Sequence, residues 1–184
     1  HTLLVPVALA LGLQTVGEAM ADADVARFLS DALEEEVIPA LPLPAAELLP
    51  FAASVQRRFR NPYVQHRLSS IALNSWSKFA SRLMPQLLRF QALHGRWLPR
   101  LVLALAATLR LYRDPPFALS DTPEYLDWFA RSRGEAELVQ GWLANAALWG
   151  TDLNQKTGLG PALQQALAAI DRQGMRAAVR ELAA

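Results

Sequence analysis

Residues 66–84 read HRLSSIALNSWSKFASRLM. Advanced at about 100° per residue, this stretch divides into two faces. Leu68, Ala72, Leu73, Trp76, Phe79, Ala80 and Leu83 fall on an apolar side. His66, Arg67, Ser70, Asn74, Ser77, Lys78 and Ser81 fall within an arc of about 120°. The spacing predicts one helix from Asn61-Pro62 to about Met84. Its polar arc carries no acid, although an ordinary solvated face mixes Glu with Lys at i,i+4. Hydroxyls and an amide both donate and accept hydrogen bonds, and Lys and Arg hold carboxylates. The arc suits a polyhydroxylated anion; the alternative is a plain solvent face.

Outward from this helix the same period recurs and no strand alternation persists. The sequence predicts helices over Thr2–Leu11, from Thr15 with Glu18 as a capping box, and from Asp22 or Asp24 to about Val37. Pro39, Pro42 and Pro44 form a stiff turn, and Pro44 opens a helix to Arg60 that Pro50 should bend or break. Pro85 restarts a helix that Gly95 ends. Pro99 opens an apolar helix to Tyr112, and Asp121 with Glu124 starts another to Ser132. Glu135–Leu148, Gly160–Arg172 and Met175–Leu182 complete an all-α reading of nine or ten helices. Glu34-Glu35-Glu36 reads as solvated helix surface, and most of the five tryptophans as core.

The chain has 184 residues, which suits one domain with a sizeable core, residues 1–184. It has no cysteine, which excludes disulfides and thiolate chemistry and fits a reducing, cytoplasmic setting. No apolar run approaches the roughly 20 residues of a membrane span, so no membrane is expected. Three histidines without metal-ligand spacing argue for no metal site. No glycine-rich loop follows a strand, so no cofactor-binding residue is expected in this chain.

Net charge is +1, but the charges are segregated. Residues 48–113 hold eleven basic residues and no acid. Such a segment either meets an anion or pairs with the acids of its flanks.

Six stretches, in order and spacing, resemble one family. They are His1-Thr2-Leu3-Leu4 with Thr15-Val16-Gly17-Glu18-Ala19-Met20, Glu35-Glu36-Val37-Ile38-Pro39, and Arg58-Phe59-Arg60-Asn61-Pro62. Then come Ile71-Ala72-Leu73-Asn74-Ser75, Ser77-Lys78-Phe79, and Leu148-Trp149-Gly150 with Asp152-Leu153. Together they resemble the long-chain mannitol dehydrogenase superfamily, nearest its tagaturonate reductases (altronate oxidoreductases). The resemblance implies a two-domain, 6-phosphogluconate-dehydrogenase-like enzyme, of which this chain is the multi-helical C-terminal, substrate-side domain. An N-terminal Rossmann domain, absent from this chain, would be its partner and would bind NAD. The implied reaction is hydride transfer that reduces a keto-uronate, tagaturonate, to altronate; this fragment alone would be inactive. Fructuronate reductase and mannitol dehydrogenase are the alternatives within the family.

The family signature Lys-x4-Asn-x2-His places its last position on His1. The signature Lys, the general acid and base, and the Asn would lie upstream. By the resemblance, His1 orients a substrate oxygen and Lys78 contacts substrate. Polyol dehydrogenases carry an Arg eight residues before that Lys; here the position is Ser70, and the nearest cation is Arg67. The expected substrate-binding set is Lys78, Asn74, Arg67, Ser70 and His66. A reading of another class is a non-enzymatic helical module that binds an acidic partner or nucleic acid through the basic segment; the enzyme reading expects no nucleic acid. That module would show no polar cleft near His1.

Overall fold

A computed structural model describes residues 1–183. Helix α1 (Leu4–Ala10) ends where Gly12 takes a positive φ. Helix α2 (Val16–Ala21) starts on the expected capping box: the Thr15 hydroxyl accepts from the Glu18 N–H, and the Glu18 carboxylate accepts from the Thr15 N–H. Asp22 caps α3 (Ala23–Asp31). A π-helical segment, Ala32–Val37, then leads into the single turn α4 (Ile38–Ala40). Next come α5 (Ala45–Phe59), α6 (Leu68–Ile71), α7 (Ser75–Arg82) and α8 (Met84–His94). Helix α9 (Pro99–Arg113) is followed by α10 (Pro123–Ser132), α11 (Leu138–Leu143) and α12 (Ala146–Trp149). A 3-10 turn, Leu153–Gln155, precedes α13 (Leu159–Gln173) and α14 (Met175–Glu181). The fold is all-α; among the described residues β pairing is limited to one isolated antiparallel bridge, Thr15 with Arg67.

Helix α9 is the axis. Twelve of its fifteen residues are buried, and α1 and α13 pack along it. Full burial of Leu101, Leu105 and Leu109 stabilises the fold by about 1.5–3 kcal/mol each. Pro99 opens the helix without an N–H to satisfy. The next two donors, Arg100 N–H and Leu101 N–H, are both taken by the Glu36 carboxylate, at 2.8 and 2.9 Å. Glu36 is therefore not solvated surface. The π segment turns it inward, and it is 2% exposed. Burial pushes its carboxyl up, against the donors of Arg100 and Leu101, which lower it.

A second centre is aromatic. Trp76 lies within 4.8–5.8 Å, centroid to centroid, of Phe129, Tyr125, Trp142, Trp128 and Tyr112. The tryptophans Trp76 and Trp142 are fully buried, and Trp149 packs half-buried beside them.

The single helix expected from Asn61 to Met84 does not form. Pro62 opens no helix, and residues 61–67 run through turns and extended backbone. Asn74 then breaks the helix with φ 53° and ψ 38°, the left-handed region. The apolar positions Leu68, Ala72, Trp76, Phe79 and Leu83 are nevertheless all buried, because each short helix keeps the period locally. Leu73, expected on the apolar side, sits in the break and is 46% exposed.

Loop bonds hold this break. The Asn74 N–H donates to the Ser120 carbonyl at 2.8 Å, and the Trp76 N–H donates to Tyr112 Oη at 3.0 Å and Asp121 Oδ2 at 3.2 Å. Asp121 was expected to start a helix with Glu124. Instead Thr122 is the N-cap of α10, without a side-chain cap, and Asp121 turns to α7. Two other proline expectations shift: Pro44 is the N-cap of α5 rather than its first residue, and Pro50 lies inside it. The segment expected as one helix over Glu135–Leu148 divides into α11 and α12, with the Asn145 side chain capping the second.

Candidate functional site

His1 lies just ahead of α1. The end of α5 brings Arg58 and Phe59 towards it, and the extended chain after α5 brings Asn61, Val64 and His66. A cleft of about 580 Å³ results, with Val16 and Val55 completing its wall. The His1 ring stacks on Phe59 at 4.2 Å and meets His66 edge-on at 5.9 Å. The strand-like register at Thr15 and Arg67 fixes His66: Val16 N–H donates to the His66 carbonyl at 3.0 Å, and Leu68 N–H donates to the Gln14 carbonyl at 2.8 Å. The capped start of α2 thus holds the chain that carries His66.

Lys78 is placed by the break at Asn74. Its ammonium reaches back to the Ile71 carbonyl at 2.8 Å. Burial, then the charge of Arg82, pulls the Lys78 ammonium below 10.5, while Asp121 acts in the opposite direction. Lys78 is not among the residues that line the His1 cleft.

The expected arc of seven polar residues is not one surface. His1 and His66 share the cleft, whereas Lys78 lies on α7 with its ammonium bonded to the Ile71 carbonyl. Arg67 lines a different groove of about 300 Å³, with Gln14, Ser69 and Phe117. Ser70 and Asn74 are exposed and do not line the His1 cleft. Ser77 Oγ donates to Asp121 at 2.9 Å, and Ser81 Oγ donates to the Ser77 carbonyl at 2.9 Å. The physical reason is the turn at residues 72–74, which removes the common helical axis on which the arc depended.

Sequence reasoning assigned no role to Arg58 or Asn61, which line the cleft. The stretch from Arg58 to Pro62 stood out as a motif, which was the available signal. Asn61 Oδ1 accepts from the Tyr63 N–H at 3.0 Å, so its amide NH2 keeps both donors for the cleft.

The basic segment resolves into two parts. Arg100 pairs with Asp31, Glu35 and Glu36, and Arg110 and Arg113 pair with Asp171. Among the described residues, the cations from Arg57 to Arg96 form no ion pair with an acid, Lys78 and Arg82 included. Pairing with the flanks accounts for the three cations on α9 and leaves those around the cleft free. Among the described residues, no cluster of His, Asp and Glu could hold a metal, and no helix is long and apolar enough to cross a membrane.

The model of the mannitol dehydrogenase C-terminal domain matches residues 1–171. The chain belongs to that family. Within the mannitol dehydrogenase C-terminal family, it is 44% identical to an altronate oxidoreductase of Yersinia pestis over 191 residues, covering 97% of this chain and 40% of the relative. It is 45% identical to an altronate oxidoreductase of Cronobacter sakazakii over 194 residues, covering 99% and 40%. The chain thus spans about 40% of the length of these relatives. Among solved structures it resembles Pseudomonas fluorescens mannitol 2-dehydrogenase in its ternary complex with NAD and D-mannitol. The TM-score is 0.88 at 22% identity, over 100% of this chain and 38% of that one. A D-sorbitol dehydrogenase in substrate-free form gives 0.74 at 23%, over 97% and 38%. At those identities the likeness establishes the helical fold of the family.

Proposed function

We propose that residues 1–184 are the substrate-side lobe of a cytoplasmic, NAD-dependent oxidoreductase that reduces tagaturonate to altronate. The observation that carries this reading is 42–45% identity to altronate oxidoreductases over nearly the whole chain. The cleft supports it: two imidazoles and an amide suit sugar hydroxyls, and the Arg58 guanidinium on its wall suits a carboxylate.

The described residues hold no sheet and no glycine turn between strand and helix, the elements of a Rossmann dinucleotide site. An N-terminal Rossmann lobe would carry the nicotinamide cofactor, which as NADH would supply the hydride and leave as NAD. The residues of this chain orient and stabilise. His1 donates to a substrate oxygen beside the reacting carbon, and Phe59 holds its ring plane. Lys78, anchored on Ile71, presents its remaining donors to a substrate oxygen. The general acid that protonates the nascent alkoxide would be the signature lysine upstream of His1. Exposed apolar side chains at the cleft rim, Tyr63 at 93% and Val64 at 50%, suit contact with that lobe.

The test uses the full-length protein. NADH oxidation is followed with tagaturonate, fructuronate and fructose. The reading expects the highest kcat/KM with tagaturonate. Preference for fructuronate or fructose moves the assignment to another member of the family, and inactivity with all three ends it. A polyanion-binding module is disfavoured because it would leave no polar cleft at His1.

A further inference from the structure

Five of the seven large apolar side chains left exposed among the described residues lie in one stretch: Leu43, Leu49, Phe51, Tyr63 and Val64. The other two, Leu73 and Leu93, lie elsewhere in the chain. Single exposed apolar residues are ordinary, whereas a group of them marks a contact surface.

Helix α5 runs through this stretch and is itself thinly supported. It packs on α2 and α4. Of its fifteen residues only Ala52 and Gln56 are buried, against twelve of fifteen in α9. Pro50, inside the helix, removes an internal hydrogen bond. A helix of about fifteen residues is marginal in water on its own and is normally held by the burial of an apolar face. Phe51, Val55 and Phe59 recur at i, i+4 and i+8, so they follow one side of α5. Val55 and Phe59 line the His1 cleft, as does Val64 beyond the helix. Phe51 continues the same side one turn earlier and is 63% exposed.

Resting on the two-lobe reading above, we infer that this seam, from Phe51 along α5 to Tyr63 and Val64, is the surface on which the N-terminal lobe of the same protein docks. The matched family domain is a C-terminal one and spans about 40% of the relatives' length, so the larger share of those relatives precedes it. The His1 ring stacks on Phe59 at 4.2 Å. Consecutive Cα atoms lie about 3.8 Å apart, so any residue joined ahead of His1 departs from beside the last turn of α5. A lobe tethered there meets the seam at a high effective concentration, an advantage that a second copy of the chain lacks. Arg57 and Arg60, at the same end of α5, are exposed and form no ion pair among the described residues. They suit carboxylates on the docking lobe.

The test labels the full-length protein with hydroxyl radicals and reads each side chain by mass spectrometry. Phe51 is compared with the buried Phe79, and Tyr63 with the buried Tyr112. Leu93, 65% exposed on α8, reports a free surface. Docking predicts that Phe51 and Tyr63 fall to the rates of Phe79 and Tyr112, while Leu93 reacts as an exposed leucine. Phe51 and Tyr63 reacting as exposed side chains overturns the inference. A photo-crosslinker at the same place, Phe51→benzoylphenylalanine, identifies the occupant. The expected product keeps the mass of a single chain, and its linked peptide lies ahead of His1. A product of twice that mass, a link confined to residues 1–184, or no link at all overturns the inference. Neither readout involves turnover, so loss of the keto-uronate assignment in the substrate assay leaves the docking surface to be decided by these results alone.

Discussion

The ammonium of Lys78 donates to the carbonyl of Ile71 at 2.8 Å, across the left-handed turn at Asn74. The turn exposes a carbonyl that an unbroken helix would have used internally, and the lysine takes it. The position of the cation is therefore a consequence of the break. Asn is one of the few residues that adopt this backbone at low cost.

Asn74→Gly should leave stability within about 0.5 kcal/mol of wild type, because Gly adopts a positive φ freely. Asn74→Val should cost about 1–3 kcal/mol, since a β-branched side chain is strained there. Urea unfolding of the pair measures the difference. Equal stabilities would mean that the turn is not left-handed in solution.

Lys78→Met in the full-length enzyme should lower kcat/KM for the keto-uronate about 10²-fold. Burial and Arg82 draw the lysine below 10.5, so the charged form is lost as pH rises through that lowered value. Substrate binding should weaken on an alkaline limb below pH 10.5 in wild type, and the limb should be absent in Lys78→Met. A pH profile of kcat/KM for both proteins checks this.

Tyr112 Oη accepts from the Trp76 N–H and donates to Asp121. Tyr112→Phe should cost about 1–2 kcal/mol near neutral pH. Burial, then the bond to Asp121, pushes the phenol well above its usual 10.0. The folded value is raised, so its contribution is complete below the unfolded value near 10 and is lost as pH rises beyond it. Denaturation from pH 8 to 11 should show a decline above pH 10 that is shallower in Tyr112→Phe.

Two neighbouring glutamates should behave oppositely. Glu36→Ala strips the first free N–H groups of α9 and a buried partner of Arg100, and should cost about 3 kcal/mol. The Glu35 side chain is 61% exposed and meets Arg100 at 2.8 Å, so Glu35→Ala should cost under about 1 kcal/mol. Thermal unfolding of the two variants ranks them, and equal losses would contradict the buried cap.

What the chain alone determined were the features set by near neighbours. The capping box of Thr15 and Glu18, the helix opened by Pro99, and the all-α class follow from backbone hydrogen bonds and a period that only local residues enter. The motif from Arg58 to Pro62 was visible as a pattern, but its role was not, because His1 and α5 meet only in space. The break at Asn74 was invisible for a related reason: the apolar period runs unbroken across it, and the partners that hold it, Ser120 and Asp121, lie some 45 residues on. Glu36 looked like one of three surface acids until the π segment turned it beneath α9. Tertiary packing decided these cases, since a buried donor or acceptor takes its partner wherever the fold supplies one.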